Sequence, residues 1–172
     1  GGAFVVARGD LARQIAHGSP AYLLGAGEHH HGRVGNARDL ATMEAGISAA
    51  RAFTMAGLAP TNVRVAELYD AFTINPILLA EETGLVARGR GGALFADGRA
   101  APGGDLPINT YGGLMSFGHT GDASGLSMIV EGARQVMGTA GDRQAADARV
   151  ALVHVYGGVM ADHCTLLLGS EP

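Results

Sequence analysis

At 172 residues with a formal charge of −4, the chain has room for one domain and one core, which excludes a two-domain enzyme. A hydrophobic share of 47% against 16% charged is too apolar for a disordered chain, and a single cysteine, Cys164, excludes a disulfide scaffold. All twelve basic residues are scattered arginines, so nucleic acid is disfavoured as a partner, and Schiff-base chemistry and lysine phosphate clamps lack their residue.

In chain order, Ala3–Ala7 is a short apolar strand candidate, followed by a helix from an Asp10 N-cap to about His17. After the Gly18-Ser19-Pro20 break, Ala21–Leu24 reads as a strand and Gly25–Asn36, rich in Gly and His, as a loop. Leu40, Met43, Ile47, Ala50 and Met55 recur near helical spacing between Asp39 and Gly57, and Gly57 sits where a helix ends. Val63–Leu68 reads as a strand, and Pro76–Thr83 as a helix with proline in its first turn. Arg88–Pro107 carries six glycines and two prolines and is expected as a long excursion, with Pro107–Thr110 a short extended piece after it. Asp122–Met137 has the strongest helical pattern: Leu126, Ile129, Val130, Ala133 and Val136-Met137 form one face, with Glu131 and Arg134 outside. Arg149–Val155 and Thr165–Leu168 complete the chain as an antiparallel hairpin.

From Ala21 onward the order is β-α-β-α-β-α-β-β, which implies an α/β fold: a mostly parallel sheet covered by helices and finished by one antiparallel strand. Gly, at 28 residues, suits helices lying close on a sheet. Reactive groups in such sheets gather at the carboxyl ends of strands. Three polar clusters lie there: Glu67–Phe72, Asn109–Asp122 and His154–Gly158. His119, between Gly118 and Gly121, is either a general base left uncovered by glycine or a solvated loop histidine. His154 ends a buried strand before Gly157-Gly158, whose backbone N–H groups could hold an oxyanion, although a satisfied core histidine outweighs that reading locally. Tyr69 can exchange a proton or merely pack under a helix. His29-His30-His31 point in diverging directions without a metal-ligand spacing, so a solvated loop is favoured. Cys164 and Met43, Met55, Met128 and Met137 read as apolar filling.

Taken together these clusters resemble the C-terminal half of the thiolase superfamily, over nearly the whole chain. The stretch Asn109-Thr110-Tyr111-Gly112-Gly113-Leu114-Met115-Ser116-Phe117-Gly118-His119 is similar to the N-x-x-GG-x-x-S-x-GH segment of the sterol-carrier-protein-x and lipid-transfer-protein branch. By this resemblance residues 1–18 are the last strand and linker of an N-terminal half, and 19–172 form the thiolase-like C-terminal domain. His119 would activate the catalytic cysteine and help hold the thioester oxygen, with His154 and Tyr69 in supporting roles and Asn109, Gly118, Gly157 and Gly158 against the substrate. Three departures stand out. Tyr69-Asp70-Ala71-Phe72 replaces N-E-A-F, His154 stands in place of the C-terminal cysteine, and Thr120 replaces the proline of G-H-P. The nucleophilic cysteine of thiolases lies in an N-terminal half that these residues do not include.

The resemblance implies the C-terminal domain of an acyl-CoA acyltransferase, forming or thiolytically cleaving carbon–carbon bonds of 3-ketoacyl-CoA thioesters. Steroid side-chain aldolases of the superfamily use a tyrosine in the Y-D-x-F position, so a retro-aldolase on β-hydroxyacyl-CoA with an OB-fold partner is the alternative. A non-catalytic half-thiolase is a third. No cofactor beyond the CoA thioester substrate is expected. An exposed half-thiolase face predicts a homo-oligomer, or a complex with an N-terminal half or OB-fold partner. No apolar run approaches the ~18 residues of a membrane span. GGAFVVARGD does not read as a secretory signal, and a cytoplasmic location is expected. The enzymatic reading needs His119 and His154 to face one another across a shared pocket.

Overall fold

The computed structural model describes residues 2–15, 18–31, 42–121 and 123–172. Four strands, β1 (Tyr22–His30), β2 (Val65–Leu68), β3 (Val150–Gly157) and β4 (Asp162–Gly169), form one sheet in the order β1-β4-β3-β2. β2 and β3 pair in parallel, whereas β4 pairs antiparallel with both β3 and β1. Ile108 adds a parallel bridge to Ala66 beyond β2. Three strands and the bridge therefore run one way and β4 the other, as the β-α-β order implies. The reversed strand lies inside the sheet, between β1 and β3, rather than at its edge.

Helix α1 (Gly9–Ile15) precedes the sheet, with Asp10 in its first turn rather than at a cap. Residues 3–7 form no strand, because no neighbour among the described residues offers them backbone partners; Phe4, Val5 and Val6 are exposed. His17 lies outside the described residues. The expected loop at Gly25–Asn36 is overturned as far as His30, since β1 continues through Gly25 and Gly27. Those glycines pack against α2 (Ala45–Ala56), where a Cβ on Gly25 would lie 2.2 Å from the Ala52 carbonyl oxygen and one on Gly27 2.0 Å from that of Ser48. Residues 32–36 and Leu40 fall outside the described residues.

The close seat also explains a misread face. Small residues meet the strand glycines: Ala45, Ser48, Ala49 and Ala52 are buried, together with Phe53, while Ile47 and Met55 are exposed. Met55 is thus not core; its sulfur accepts the Ala26 N–H on the outer edge of β1 at 3.3 Å, and Arg51 donates to the neighbouring Glu28 carbonyl. Gly57 ends α2 with φ 65, as expected. The other end of α2 is capped from α3 (Asn75–Glu82), where the Glu82 carboxylate accepts the Ala45 N–H at 2.7 Å.

The excursion after Arg88 contains a short helix, α4 (Gly91–Ala96), and buries Leu94 and Leu106. A second short helix, α5 (Gly113–Ser116), precedes α6 (Ala123–Val136), which covers the opposite face of the sheet from α2. The buried residues of α6 are Ser124, Met128, Glu131, Gly132, Gln135 and Val136; of the expected apolar face Val136 is among them, whereas Leu126, Ile129, Val130 and Ala133 are half-buried. Two polar residues turn inward because they find partners there. Glu131 receives Arg143 at 3.0 Å, and Gln135 donates to the Arg143 carbonyl at 2.8 Å. Gly132 lets the helix settle on Val153, which a Cβ would approach to 2.7 Å. No helix among the described residues is long and apolar enough to cross a membrane.

Candidate active site

β2 delivers Tyr69 and Asp70 at its carboxyl end, and the Tyr69 N–H continues the ladder by donating to the His154 carbonyl at 3.1 Å. Asn109, at φ 54, clamps the last residue of β2: its Oδ1 accepts the Leu68 N–H at 2.7 Å and its Nδ2 donates to the Leu68 carbonyl at 2.9 Å. Its amide thus serves as a missing strand neighbour. Asp70 takes the Leu114 N–H at 2.7 Å and so pins α5, which leads to His119. Gly113 is required at this contact, since it has φ 66 and a Cβ there would stand 2.2 Å from the Asp70 carboxylate.

His119 is exposed, with its ring edge-on to Tyr69 at 5.9 Å between centroids. Its Nδ1 accepts the Gly121 N–H at 3.2 Å, so in the neutral ring the hydrogen sits on Nε2. Nε2 lies 3.4 Å from the Tyr69 hydroxyl oxygen and donates toward it. On the other side of Tyr69 stands Tyr156 of β3, with ring centroids 4.7 Å apart. Asn75, at the start of α3, donates its amide N–H to the Tyr156 oxygen. Burial pushes the Tyr156 phenol up to about 12, so it is a neutral hydrogen-bond donor at neutral pH.

His154 does not meet His119. Its Nδ1 accepts from the Thr165 hydroxyl at 2.8 Å and its Nε2 donates to His163 Nδ1 at 3.2 Å. His163 Nε2 in turn donates to the Met160 carbonyl at 3.1 Å, which fixes this proton order. Burial takes His154 down to about 3 and lowers His163, so both imidazoles are neutral. The expected pairing of His119 and His154 across a shared pocket is therefore overturned: the two are the ends of a row, His119, Tyr69, Tyr156, His163, His154, and an enzymatic reading has to rest on His119, Tyr69 and Tyr156 instead.

Gly157 and Gly158 are exposed where β3 turns into β4, and Gly118 is exposed beside His119. Gly158, Val159 and Met160 have successive left-handed φ values of 55, 55 and 64. That turn is held by the Met160 carbonyl, which accepts His31 at 2.8 Å as well as His163. His29 and His30 diverge as expected, to Glu44 and Asp162 at 2.8 Å each. A cavity of about 210 Å³ adjoins Tyr156, Gly157, His163, His30, Glu28 and Cys164, but not Tyr69 or His119. Cys164 is half-buried on β4, and burial raises its thiol.

Beneath the site, Glu67 is fully buried and Thr110 bridges it to Glu131, with 2.9 Å to each carboxylate. Burial first, then the charge of Glu131, keeps Glu67 well above the ordinary carboxylate range. Burial works the same way on Glu131, but Arg143, Thr110 and Gln135 overcome it and hold Glu131 low. One carboxyl is neutral and the other charged.

Sequence reasoning missed Tyr156 and Asn75. The signal for Tyr156 was the period of two, which puts it on the same face of β3 as His154.

Residues 26–170 match the model of the thiolase C-terminal domain-like family. The chain belongs to that family. It is 36% identical over 159 residues to the acetyl-CoA acetyltransferase of Methanothermobacter thermautotrophicus, covering 91% of this chain and 41% of that protein. Sterol carrier protein 2 of Oryctolagus cuniculus is 43% identical over 110 residues, covering 64% of this chain and 20% of the relative. A solved structure, the Ltp2-ChsH2(DUF35) aldolase, superposes with a TM-score of 0.81 at 30% identity, over 94% of this chain and 42% of the other. The chain spans less than half the length of each of these proteins.

Proposed function

We propose that this thiolase-type half, residues 19–172, acts within a larger acyl-CoA enzyme that cleaves a β-hydroxyacyl-CoA by retro-aldol chemistry. In that reaction the β-hydroxyl proton is removed and the Cα–Cβ bond breaks. The β-carbon leaves as a carbonyl, and the electron pair passes to Cα and the thioester oxygen as an enolate, which is then protonated. The reaction needs neither oxidant nor cofactor, only a proton acceptor, a proton donor and a stabiliser of oxygen charge. Tyr69 as a phenolate, its charge held by the Nε2–H of His119, suits the first task, and the proton it takes up is the one returned to the enolate, so it serves the second as well; the neutral phenol of Tyr156 donates to the oxygen gaining charge and suits the third. His154 acts through its neighbours, holding His163 and the sheet beside Tyr156. Asn109 and Gly118 position the loop on either side of His119.

The observation that carries this reading is the placement of Tyr69 with its hydroxyl 3.4 Å from His119 Nε2 and its ring against Tyr156, with Cys164 on a different strand, its thiol raised by burial. The likeness to a solved aldolase agrees with it. A second reading, acyl transfer on 3-ketoacyl-CoA with a cysteine from an N-terminal half, draws support from the 36% identity to an acetyl-CoA acetyltransferase. The exposed Phe4, Val5 and Val6 and the half-buried apolar stripe of α6 support a partner, whether an N-terminal half, an OB-fold protein or a second copy. A cytoplasmic location accords with CoA chemistry.

The two readings separate in the natural assembly supplied with β-hydroxyacyl-CoA or 3-ketoacyl-CoA. Retro-aldol chemistry predicts that Tyr69→Phe lowers kcat by about 10²–10⁴ and that cysteine alkylation leaves the rate unchanged. Loss of turnover on alkylation, with Tyr69→Phe active, would transfer the assignment to acyl transfer.

A further inference from the structure

The amide of Asn75 is buried at 1% exposure, and its two ends are treated differently. Nδ2 donates to the Tyr156 oxygen, whereas Oδ1 is buried with no hydrogen-bond partner among the described residues. Turning the amide over would strand the NH₂ group instead. A buried carbonyl oxygen without a partner is tolerated more readily than a buried N–H, so the donating orientation is favoured. A phenol oxygen that accepts from an amide keeps its own hydrogen for another acceptor. On the far side of the ring pair, the Tyr69 oxygen likewise faces an N–H, that of His119. Each phenol oxygen therefore has a nitrogen donor behind it: behind Tyr156 it strengthens the bond that the O–H gives, and behind Tyr69 it holds the charge of a phenolate.

We infer that Asn75 is a positioning residue that fixes Tyr156 as a hydrogen-bond donor beside Tyr69, so that Tyr156 is built to receive an oxygen gaining negative charge, such as a thioester enolate. This rests on the phenol reading of the site. Asn75 can do this because it opens α3 directly after the Asp70–Ile74 bend, with its own N–H anchored on the Phe72 carbonyl at 3.0 Å. The same bend carries the Asp70 clamp on α5, so one backbone segment aligns both sides of the site.

The test places 2,3-difluorotyrosine at position 156 of the natural assembly, which brings the phenol ionisation into an accessible range, and follows it by absorbance. Removing the donor with Asn75→Leu raises the ionisation point by about one pH unit, a tenfold change in the ionisation constant. The sign is decisive: had Asn75 been accepting the phenol hydrogen, its removal would lower that point. An unchanged or lowered value overturns the inference. If Asn75→Leu fails to fold, Asn75→Ser also withdraws the amide while suiting a helix start, and its shift is judged by the same sign. In turnover of a β-hydroxyacyl-CoA, Asn75→Leu lowers kcat about tenfold with KM unchanged. If Tyr69→Phe abolishes turnover while Asn75→Leu moves neither ionisation nor kcat, the phenol reading stands and the role of Asn75 falls. Full turnover in Tyr69→Phe removes the phenol reading itself.

Discussion

Replacing Gly27 by alanine presses on the contact that seats α2 against β1. Gly25 and Gly27 lie two residues apart on the strand, about 6.7 Å, and meet Ala52 and Ser48, four residues apart on the helix, about 6.0 Å. The strand and the antiparallel helix thus run in step, and successive helical turns rest on successive glycines. A Cβ on Gly27 would stand 2.0 Å from the Ser48 oxygen, 2.9 Å from the Ala52 nitrogen and 2.8 Å from the Arg51 Cβ. Carbon–oxygen contacts begin near 3.3 Å, so α2 must retreat by about 1.3 Å. Overpacking costs about 1–3 kcal/mol, and the upper end applies because the atoms met are helix backbone that cannot rotate aside. At about 2–4 °C per kcal/mol for a domain of this size, the unfolding midpoint should fall by about 6–12 °C. Thermal and urea unfolding followed by circular dichroism measure this. Gly92→Ala is the control: it lies in α4 with nothing within 4 Å of its Cβ, and should stabilise by about 0.5–1 kcal/mol through helix propensity. A Gly27→Ala protein within about 0.5 kcal/mol of the wild type, the range of an ordinary surface change, would refute the close-seat argument.

Two further predictions concern pH. Glu67 is held neutral, so its contribution is complete below the ordinary value of 4.5 and is lost as pH rises above it, at up to ~1.4 kcal/mol per pH unit until its folded value is reached. Glu67→Gln should therefore be more stable than the wild type at pH 7, with a gap that widens from pH 4.5 upward; parallel urea-unfolding profiles would contradict this. His154 is held neutral with a value of about 3 in the fold. Its contribution is complete above the unfolded value of about 6.5 and is lost as pH falls from there toward 3. His154→Gln should flatten the acid limb of the stability profile by about one proton's worth between pH 6 and 4, and an acid limb as steep as the wild type's would count against it.

Much of the scaffold was legible because its signals are local. Gly57 at the end of α2, Pro76 at the start of α3 and the closing hairpin each declare themselves within a few residues. The faces of α2 and α6 were not legible. Burial there is decided by what lies opposite: glycines under α2 are met by small residues, and Thr110 and Arg143 give Glu131 partners that hydrophobicity cannot reveal. β1 was cut short because Gly-Ala-Gly and a histidine run resemble a loop, although they fit a strand pressed against a helix. At the site, the loop motif singled out His119 and the strand-end rule singled out Tyr69, and the structure brings those two together. His154 was flagged as well, but its ring nitrogens face inward to Thr165 and His163. Its neighbour two residues on, Tyr156, stands beside Tyr69 because β2 and β3 pair in parallel there, and sequence spacing alone does not place that register.

The flank of β1 has its own bearing on how the molecule can be joined to others. Met55 occupies the Ala26 amide and Arg51 the Glu28 carbonyl, so two rungs that would otherwise welcome an added strand are already spoken for. An added strand is thereby disfavoured at this edge, which leaves the faces of the sheet and its loop ends, where His119 is exposed, as the surfaces open to contact.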